Sequence, residues 1–322
     1  MERFKYRPRM VRLLLATLGV ATVAYWGCRA RGARRWNRGT RDLRGRLEEA
    51  RSPMLPRTID FRELENLPAP VRRYFEAVLT EGQPMVSGAR LRHAGTFNVG
   101  EKTDRWKHFT SNQVVVTRRP GFDWEARVDM VPGLPVLVHD AYVAGEGVLN
   151  AAVFGFFTVA DMRGGGELAR GELMRYFAET AWYPTALLPS QGVRWEAVGG
   201  HSARATLTEG ETSTSLLFTF DEQNLIEMVS TEARGRTVGD EVIPTPWRGK
   251  FWNYRERGGM LVPLDAEVAW VLPQGEKPYW RGHITDIFHE PARWNGHRSG
   301  QQKDGPIGPL SRVQASNERT GA

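Results

Sequence analysis

From Val86 onward, apolar and polar residues alternate with a period of two, the pattern of strands that bury one face. In the run 122–131, Trp124, Ala126, Val128 and Met130 fall on one side, while Glu125, Arg127 and Asp129 fall on the other. The same alternation predicts strands over 86–99, 106–117 and 136–149. After Gly192 it resumes over 193–198, 203–208, 214–220, 225–231, 250–255, 266–272 and 279–289. Connections such as Arg119-Pro120-Gly121 are too short for the crossover a parallel pair requires, so the strands are expected to be antiparallel. Two stretches carry helical spacing instead. Val71, Tyr74, Phe75, Val78 and Leu79 form one apolar face, stopped by Gly82 and Pro84. Leu168, Leu173, Tyr176, Phe177 and Trp182 mark a central helix over 167–188, entered from Gly164-Gly165-Gly166 and ended by Pro184 and Pro189. The expected fold is α+β. One domain over 60–290 holds a large curved antiparallel β-sheet of about eleven strands, covered by helices and quasi-repeated about the central one.

The chain ahead of this domain has a different character. Leu13 to Cys28 carries no charge and, at about 1.5 Å per residue, spans ~24 Å against a hydrocarbon core of ~30 Å. Met10 and Val11 extend it, Arg12 and Arg29 can snorkel, and Tyr25 and Trp26 sit where an aromatic belt falls. The expectation is a single-pass transmembrane helix over 10–28 behind a basic leader, 1–9. A cleaved signal peptide ending at Thr22-Val23-Ala24 is the competing reading. Residues 29–59 read as a basic juxtamembrane segment, either a helix lying on anionic lipid or a solvated linker, with a linker signal at Arg51-Ser52-Pro53-Met54-Leu55-Pro56. Residues 291–322 read as a disordered tail. Eight arginines follow the apolar stretch and five Lys or Arg precede it, and this leaves the side of the soluble domain open.

Charge changes the picture once it is divided by position. The chain is net +7, yet residues 1–50 hold 13 basic and 4 acidic groups, a net of +9. The remainder, with 31 basic and 33 acidic groups, is near neutral at −2. That removes most of the electrostatic case for DNA or RNA, which needs a basic face on the domain itself, and nucleic acid is not expected as a partner. Cys28 is the single cysteine, so neither a disulfide framework nor a cysteine-ligated metal is available to the domain.

Three blocks carry a family likeness: Arg175-Tyr176-Phe177-Ala178-Glu179 running into Trp182-Tyr183-Pro184-Thr185-Ala186-Leu187-Leu188-Pro189; Val193-Arg194-Trp195-Glu196-Ala197; and Pro246-Trp247-Arg248-Gly249 with Tyr254 and Trp270 downstream. Over roughly residues 60–290 the chain resembles a bacterial family of unknown function, DUF6544, whose members often carry hydrophobic N-terminal segments. The helix-covered curved sheet is similar in outline to the lipoprotein-carrier (LolA-like) fold. The resemblance implies no catalytic residues.

The residues themselves predict no catalytic set, metal or cofactor. No two histidines stand at the helical spacing of a metal site, and the adjacent pair His139-Asp140 lies in a strand, where neighbours face opposite ways. Gly164-Gly165-Gly166 lacks the lysine and hydroxyl ending of a phosphate loop. Glu172 and Glu179 share a helix face and could offer paired carboxylates, although acids so placed are more often solvated or paired, Glu179 for instance with Arg194. Aromatic load is the strongest remaining feature. Large rings usually fill a core. The functional alternative is an aromatic-lined cavity between sheet and helices, with Trp182, Tyr183, Trp195, Phe156, Phe157 and Trp247 as ligand-binding candidates. The leading expectation is a membrane-anchored domain binding a lipid or other hydrophobic ligand, its partners being that ligand and the bilayer. An enzyme using the helix acids Glu172 and Glu179, or a structural partner in an envelope complex, are the alternatives.

Overall fold

The computed structural model describes residues 8–292 except Lys102, Pro132 and Asp240, with side chains described from Ala16 onward apart from Leu18, Ala21 and Ala24. The expectations for residues 1–7 and 293–322 fall outside the described residues.

The alternating runs form one antiparallel sheet. Its first half is β1 (Val86–Asn98), β2 (Trp106–Val116), β3 (Gly121–Val131), β4 (Leu134–Val143), β5 (Glu146–Val153) and β6 (Phe157–Gly164). The second half is β7 (Arg194–Gly199), β8 (Ser202–Glu209), β9 (Thr212–Phe220), β10 (Ile226–Val238), β11 (Glu241–Arg257), β12 (Met260–Leu272) and β13 (Gly275–Pro291). The order is β6-β5-β4-β3-β2-β1-β13-β12-β11-β10-β9-β8-β7, so two meanders meet where β1 pairs with β13.

Thirteen strands stand among the described residues where about eleven were expected. The run 136–149 is two strands, broken at Ala144-Gly145, both at positive φ. Alanine rarely takes that conformation, so the turn carried no signal. The second extra strand is β6, an exposed edge in which apolar and polar residues do not keep a two-residue alternation.

The connection between the two sheet edges, β6 and β7, crosses the sheet and carries α3 (Gly166–Ala178). The expected central helix over 167–188 ends early. Three one-turn 3-10 segments follow, Glu179–Trp182, Pro184–Leu187 and Pro189–Gln191, because Pro184 and Pro189 deny the amides an α-helix needs. Helix α3 touches β3 to β6 from one half and β9 and β10 from the other. A sheet whose two halves both reach one 13-residue helix must curl around it. Irregular registers at Arg92/His93, Thr231/Arg234 and Val268/Ala269 contribute to that bend. Helix α2 (Ala69–Val78) seats Val71, Tyr74, Phe75 and Val78 in the same concave core.

The largest departure is at the N-terminus. Pro8–Ala50 is one continuous 43-residue helix, α1, so the basic segment continues the apolar stretch as helix and does not form a linker before Ala50. Among the described residues no helix is long and apolar enough to cross a membrane, and the expected transmembrane helix over 10–28 is not shown. Residues 29–50 are neither a linker nor a freely lying helix. Gly32, Trp36, Thr40, Leu43 and Leu47 make a buried stripe against the outer face of β2 to β5, and Arg31, Arg34, Arg35, Arg38 and Arg41 point to solvent. Three members of that stripe are glycine, threonine and tryptophan, which is why apolar periodicity did not reveal it. At the other terminus, Pro291 still pairs with Val86 and the Ala292 amide donates to the Met85 carbonyl at 2.8 Å, so the sheet includes the first residues of the expected tail.

Candidate functional site

The concave face is built from alternate positions: Ala89, Leu91 and His93 of β1, Phe109, Ser111, Gln113 and Val115 of β2, and Phe122, Trp124, Ala126 and Val128 of β3. Asp140 of β4 shares this face. At its centre stands Arg175 of α3. Its Nε donates to Glu179 Oε1 at 2.8 Å and its Nη1 to Asp140 Oδ2 at 2.5 Å. The guanidinium lies 5.0 Å from the ring centre of Phe122 and 4.9 Å from that of Trp124. Gln113 Nε2 donates to the second oxygen of Glu179 at 2.5 Å. The expected buried pairing of Glu179 with an arginine is present, but with Arg175 one turn back, not with the exposed Arg194.

Glu172 sits one turn before Arg175, only 8% exposed. Burial, then the charge of Asp140, pushes its carboxyl well above the usual range, against the opposing pull of Arg175 and Arg234. Glu172 Oε2 and Asp140 Oδ1 both lack a hydrogen-bond partner when treated as carboxylates. A protonated Glu172 resolves this, since it can donate to the acid beside it. Burial alone would lower Arg175, but Glu179, Asp140 and Glu172 outweigh that and hold it charged. His93 bonds through Nδ1 to Ser111 Oγ at 3.1 Å, and burial with the nearby Arg175 brings it down to about 3, so it is neutral at physiological pH.

The six predicted aromatic candidates are not brought together. Trp182, Tyr183 and Trp247 are buried in the core. Tyr183 Oη donates to the Tyr176 carbonyl at 3.0 Å, and Trp247 Nε1 donates to Tyr279 Oη at 2.9 Å. Trp195 is half-buried, donating to the Leu187 carbonyl at 3.0 Å and packed edge-on to Phe218. Phe156 and Phe157 stand apart at the β5–β6 turn beside α1, where Arg35 donates to the Phe156 carbonyl. The four tryptophan and tyrosine rings pack in or on the core while Phe157 stays 55% exposed at the turn, so the six do not line one cavity.

A different aromatic set is half-open. Past the ion cluster, Trp270 of β12 stacks on Tyr279 of β13 with centres 5.6 Å apart, and Phe97 of β1 meets Tyr279 edge-on at 6.0 Å. Arg234 lies 5.0 Å over Trp247, and Arg236 lies 5.9 Å over Trp270. Met130 and Val138 are also left half-buried. An open cleft of about 500 Å³ adjoins this wall at Arg236, Leu272 and Glu276. Trp270 was visible in the sequence, but nothing marked it as more exposed than its neighbours.

The outer face holds a second polar cluster. Asp123 Oδ1 meets His139 Nδ1 at 2.7 Å, and His139 Nε2 meets Thr40 Oγ1 at 2.9 Å. This is the acid–histidine–hydroxyl order of a nucleophilic triad. Its hydroxyl, however, is sealed beneath α1, with Trp36 stacked on His139 at 4.6 Å, and Thr40 and His139 only 7% and 5% exposed. Trp36 Nε1 and Thr40 Oγ1 converge on Glu125 Oε1, while Arg44 pairs with Asp123 at 2.7 Å and Glu125 at 3.2 Å. The cluster clasps α1 to the sheet. As the alternation requires, His139 and Asp140 face opposite ways. Among the described residues no group of three or more His, Cys, Asp or Glu could hold a metal ion.

These features define a curved antiparallel-sheet domain with a buried ion cluster and a half-open aromatic wall. A family model described as "Family of unknown function (DUF6920)" matches residues 65–289, and the chain belongs to that family. The matching family is thus not DUF6544. The Trp-Tyr-Pro and Pro-Trp blocks behind that likeness are core and turn packing, which poorly separates one sheet family from another. No curated protein matches the chain. Among solved structures, a LolA superfamily protein from Nitrosomonas europaea is 11% identical with a TM-score of 0.35, covering 68% of this chain and 91% of that one. A β-barrel-like protein of a domain of unknown function, DUF1849, from Brucella abortus is 10% identical with a TM-score of 0.20, covering 64% of this chain and 99% of that one. At such scores, no conclusion about ligand or mechanism rests on either.

Proposed function

We propose that this chain is a membrane-held binding domain that takes an apolar or amphipathic molecule along the concave face of its sheet. The observation that carries this reading is the wall of Phe97, Tyr279 and Trp270, three rings in mutual contact that the core leaves half-open while burying most other rings on that face. Stacked rings with arginines at their margin suit an acyl or other apolar body bearing a polar end. The membrane hold rests on the charge-free stretch 13–28. On it Val20 and Val23 are 71% and 74% exposed, and Arg29 lies over the ring of the exposed Trp26. Apolar side chains projecting from a helix ahead of the folded body are costly in water and favourable in lipid.

Native mass spectrometry of the full-length chain extracted in mild detergent tests this reading. A bound amphiphile should accompany the wild type, and Trp270→Glu should lose it without unfolding. A wild-type chain that is bare throughout would overturn it.

One observation favours an acid–base alternative: Glu172, kept protonated beside Asp140. Yet Asp140 and Glu179 are both committed to Arg175, which makes the group a structural ion cluster on its geometry.

A further inference from the structure

The rim of the sheet where α1 departs carries apolar side chains that the fold does not use. Val131 and Leu134, either side of the β3–β4 turn, are 53% and 41% exposed, and Phe157, opening β6 after the neighbouring turn, is 55% exposed. Strand register places both turns at one end of the β3-β4-β5-β6 segment, since Val136 pairs with Val153 and Val131 with Leu134. Helix α1 passes this end in direct contact. Tyr25 Oη donates to the Gly133 carbonyl at 3.2 Å, its ring meets Phe154 edge-on at 5.6 Å, and Arg35 donates to the Phe156 carbonyl at 3.3 Å.

We infer that the β3–β4 and β5–β6 turns, with the exposed Trp26 beside Tyr25 on α1, form a seat that presses this end of the sheet into an anionic lipid surface. The inference rests on the membrane hold proposed above and goes beyond it, because a tether alone leaves the domain free to swing. Three observations point to a bilayer in particular. The apolar rim is continuous, through Tyr25 and Trp26, with the apolar start of α1. Next, α1 runs unbroken from that start to its clasp on the sheet, so the height of the rim above any bilayer holding residues 13–24 is set by a rigid helix. Finally, Arg31, Arg34 and Arg35 face solvent within about 15 Å of Tyr25 along the helix axis, where long guanidinium side chains can reach toward anionic headgroups. The acids on these strands do not oppose that charge freely, since Asp129 pairs with Arg127 and Asp161 with Arg163. The β1–β2 and β12–β13 turns lie at the same end of the sheet, and Phe97 and Trp270 stand two and three residues from them. Seating this rim therefore brings the half-open aromatic wall toward lipid.

Depth-resolved fluorescence of the full chain tests the seat. With Cys28→Ser as background, Leu134→Cys, Phe157→Cys and, at the opposite end of the strands, Glu222→Cys are each labelled with a polarity-sensitive dye. The chains are reconstituted into phosphatidylcholine–phosphatidylglycerol vesicles, with and without lipids carrying a shallow nitroxide. The seat predicts blue-shifted emission and at least twofold nitroxide quenching at 134 and 157, with neither at 222. Chains that sediment with vesicles while all three dyes stay in water would overturn the seat and leave the tether standing. Equal quenching at all three positions would also overturn it. Chains that do not sediment with vesicles would remove the tether and the seat together.

Discussion

The two faces of the sheet are covered by helix in different ways. The concave face packs α2, α3 and the 3-10 segments over a broad aromatic core, with one ion cluster centred on Arg175. The outer face holds α1 with a small apolar patch, Leu43 and Leu47 against Val116, Ala141, Val143 and Val148, and a dense set of buried polar bonds through Thr40, His139, Asp123, Glu125 and Arg44. Apolar area is non-directional and supplies most of the stability. Buried polar bonds contribute less net free energy, but they tolerate only one register. The concave interface therefore sets whether the domain folds, and the outer interface sets where α1 sits.

That contrast can be broken from either side. The largest effect is expected from Trp182→Ala, which removes a core ring between His93, Phe251 and Trp280 and should cost about 4 kcal/mol in urea unfolding. A loss below about 1 kcal/mol would mean the ring is not core. Next comes Arg175→Met, which strands Asp140 and Glu179 and should cost about 3 kcal/mol, with Asp140→Asn and Glu179→Gln in the same chain restoring at least half. No rescue would show that the guanidinium acts by packing on Phe122 and Trp124, not by charge.

Acidification should have a smaller effect, with a definite sign for each group. His93 is held down to about 3 in the fold and titrates near 6.5 when unfolded, so the unfolded chain binds the extra proton between those values. Its contribution is complete above pH 6.5 and falls by about 1.4 kcal/mol per pH unit below it. Glu172, raised in the fold, works in the opposite direction. That opposing window runs upward from about 4.5 and overlaps the histidine's, so between pH 6.5 and 5 the two offset each other: His93→Gln should make stability rise on acidification and Glu172→Gln should make it fall. An unchanged slope would assign the effect elsewhere. Smallest of all, Thr40→Val should cost about 1 kcal/mol and speed hydrogen exchange in residues 30–50 of α1 while sparing α3. Equal acceleration in both helices would show that the two interfaces are one cooperative unit.

The difference between the faces also explains what could be read from the chain beforehand. Alternation along β3 and β4 placed Trp124 inside, Glu125 outside, and His139 and Asp140 on opposite faces, because side-chain direction in a strand is local information. Which residues then meet is set by register and curl, and these are not local. Asp123 and His139 are 16 positions apart and converge only when β3 pairs with β4. Glu172 and Glu179 could be placed on one helix face, but Asp140 and Gln113, the strand groups that make that face a cluster, depend on the sheet bending around α3. The packing of residues 29–50 on the sheet left no periodic apolar signal in the chain, because its buried stripe uses glycine, threonine and tryptophan in place of an apolar repeat.

Photo-crosslinking in the bilayer tests the central claim most directly. The full-length chain would be reconstituted with a phospholipid bearing a diazirine in its acyl chain, irradiated, and mapped by peptide mass spectrometry. The concave wall predicts label on peptides containing Phe97, Trp270 and Tyr279 in addition to α1, and loss of the wall label in Trp270→Glu. Label confined to the start of α1, with the β1, β12 and β13 peptides unmodified, would contradict it.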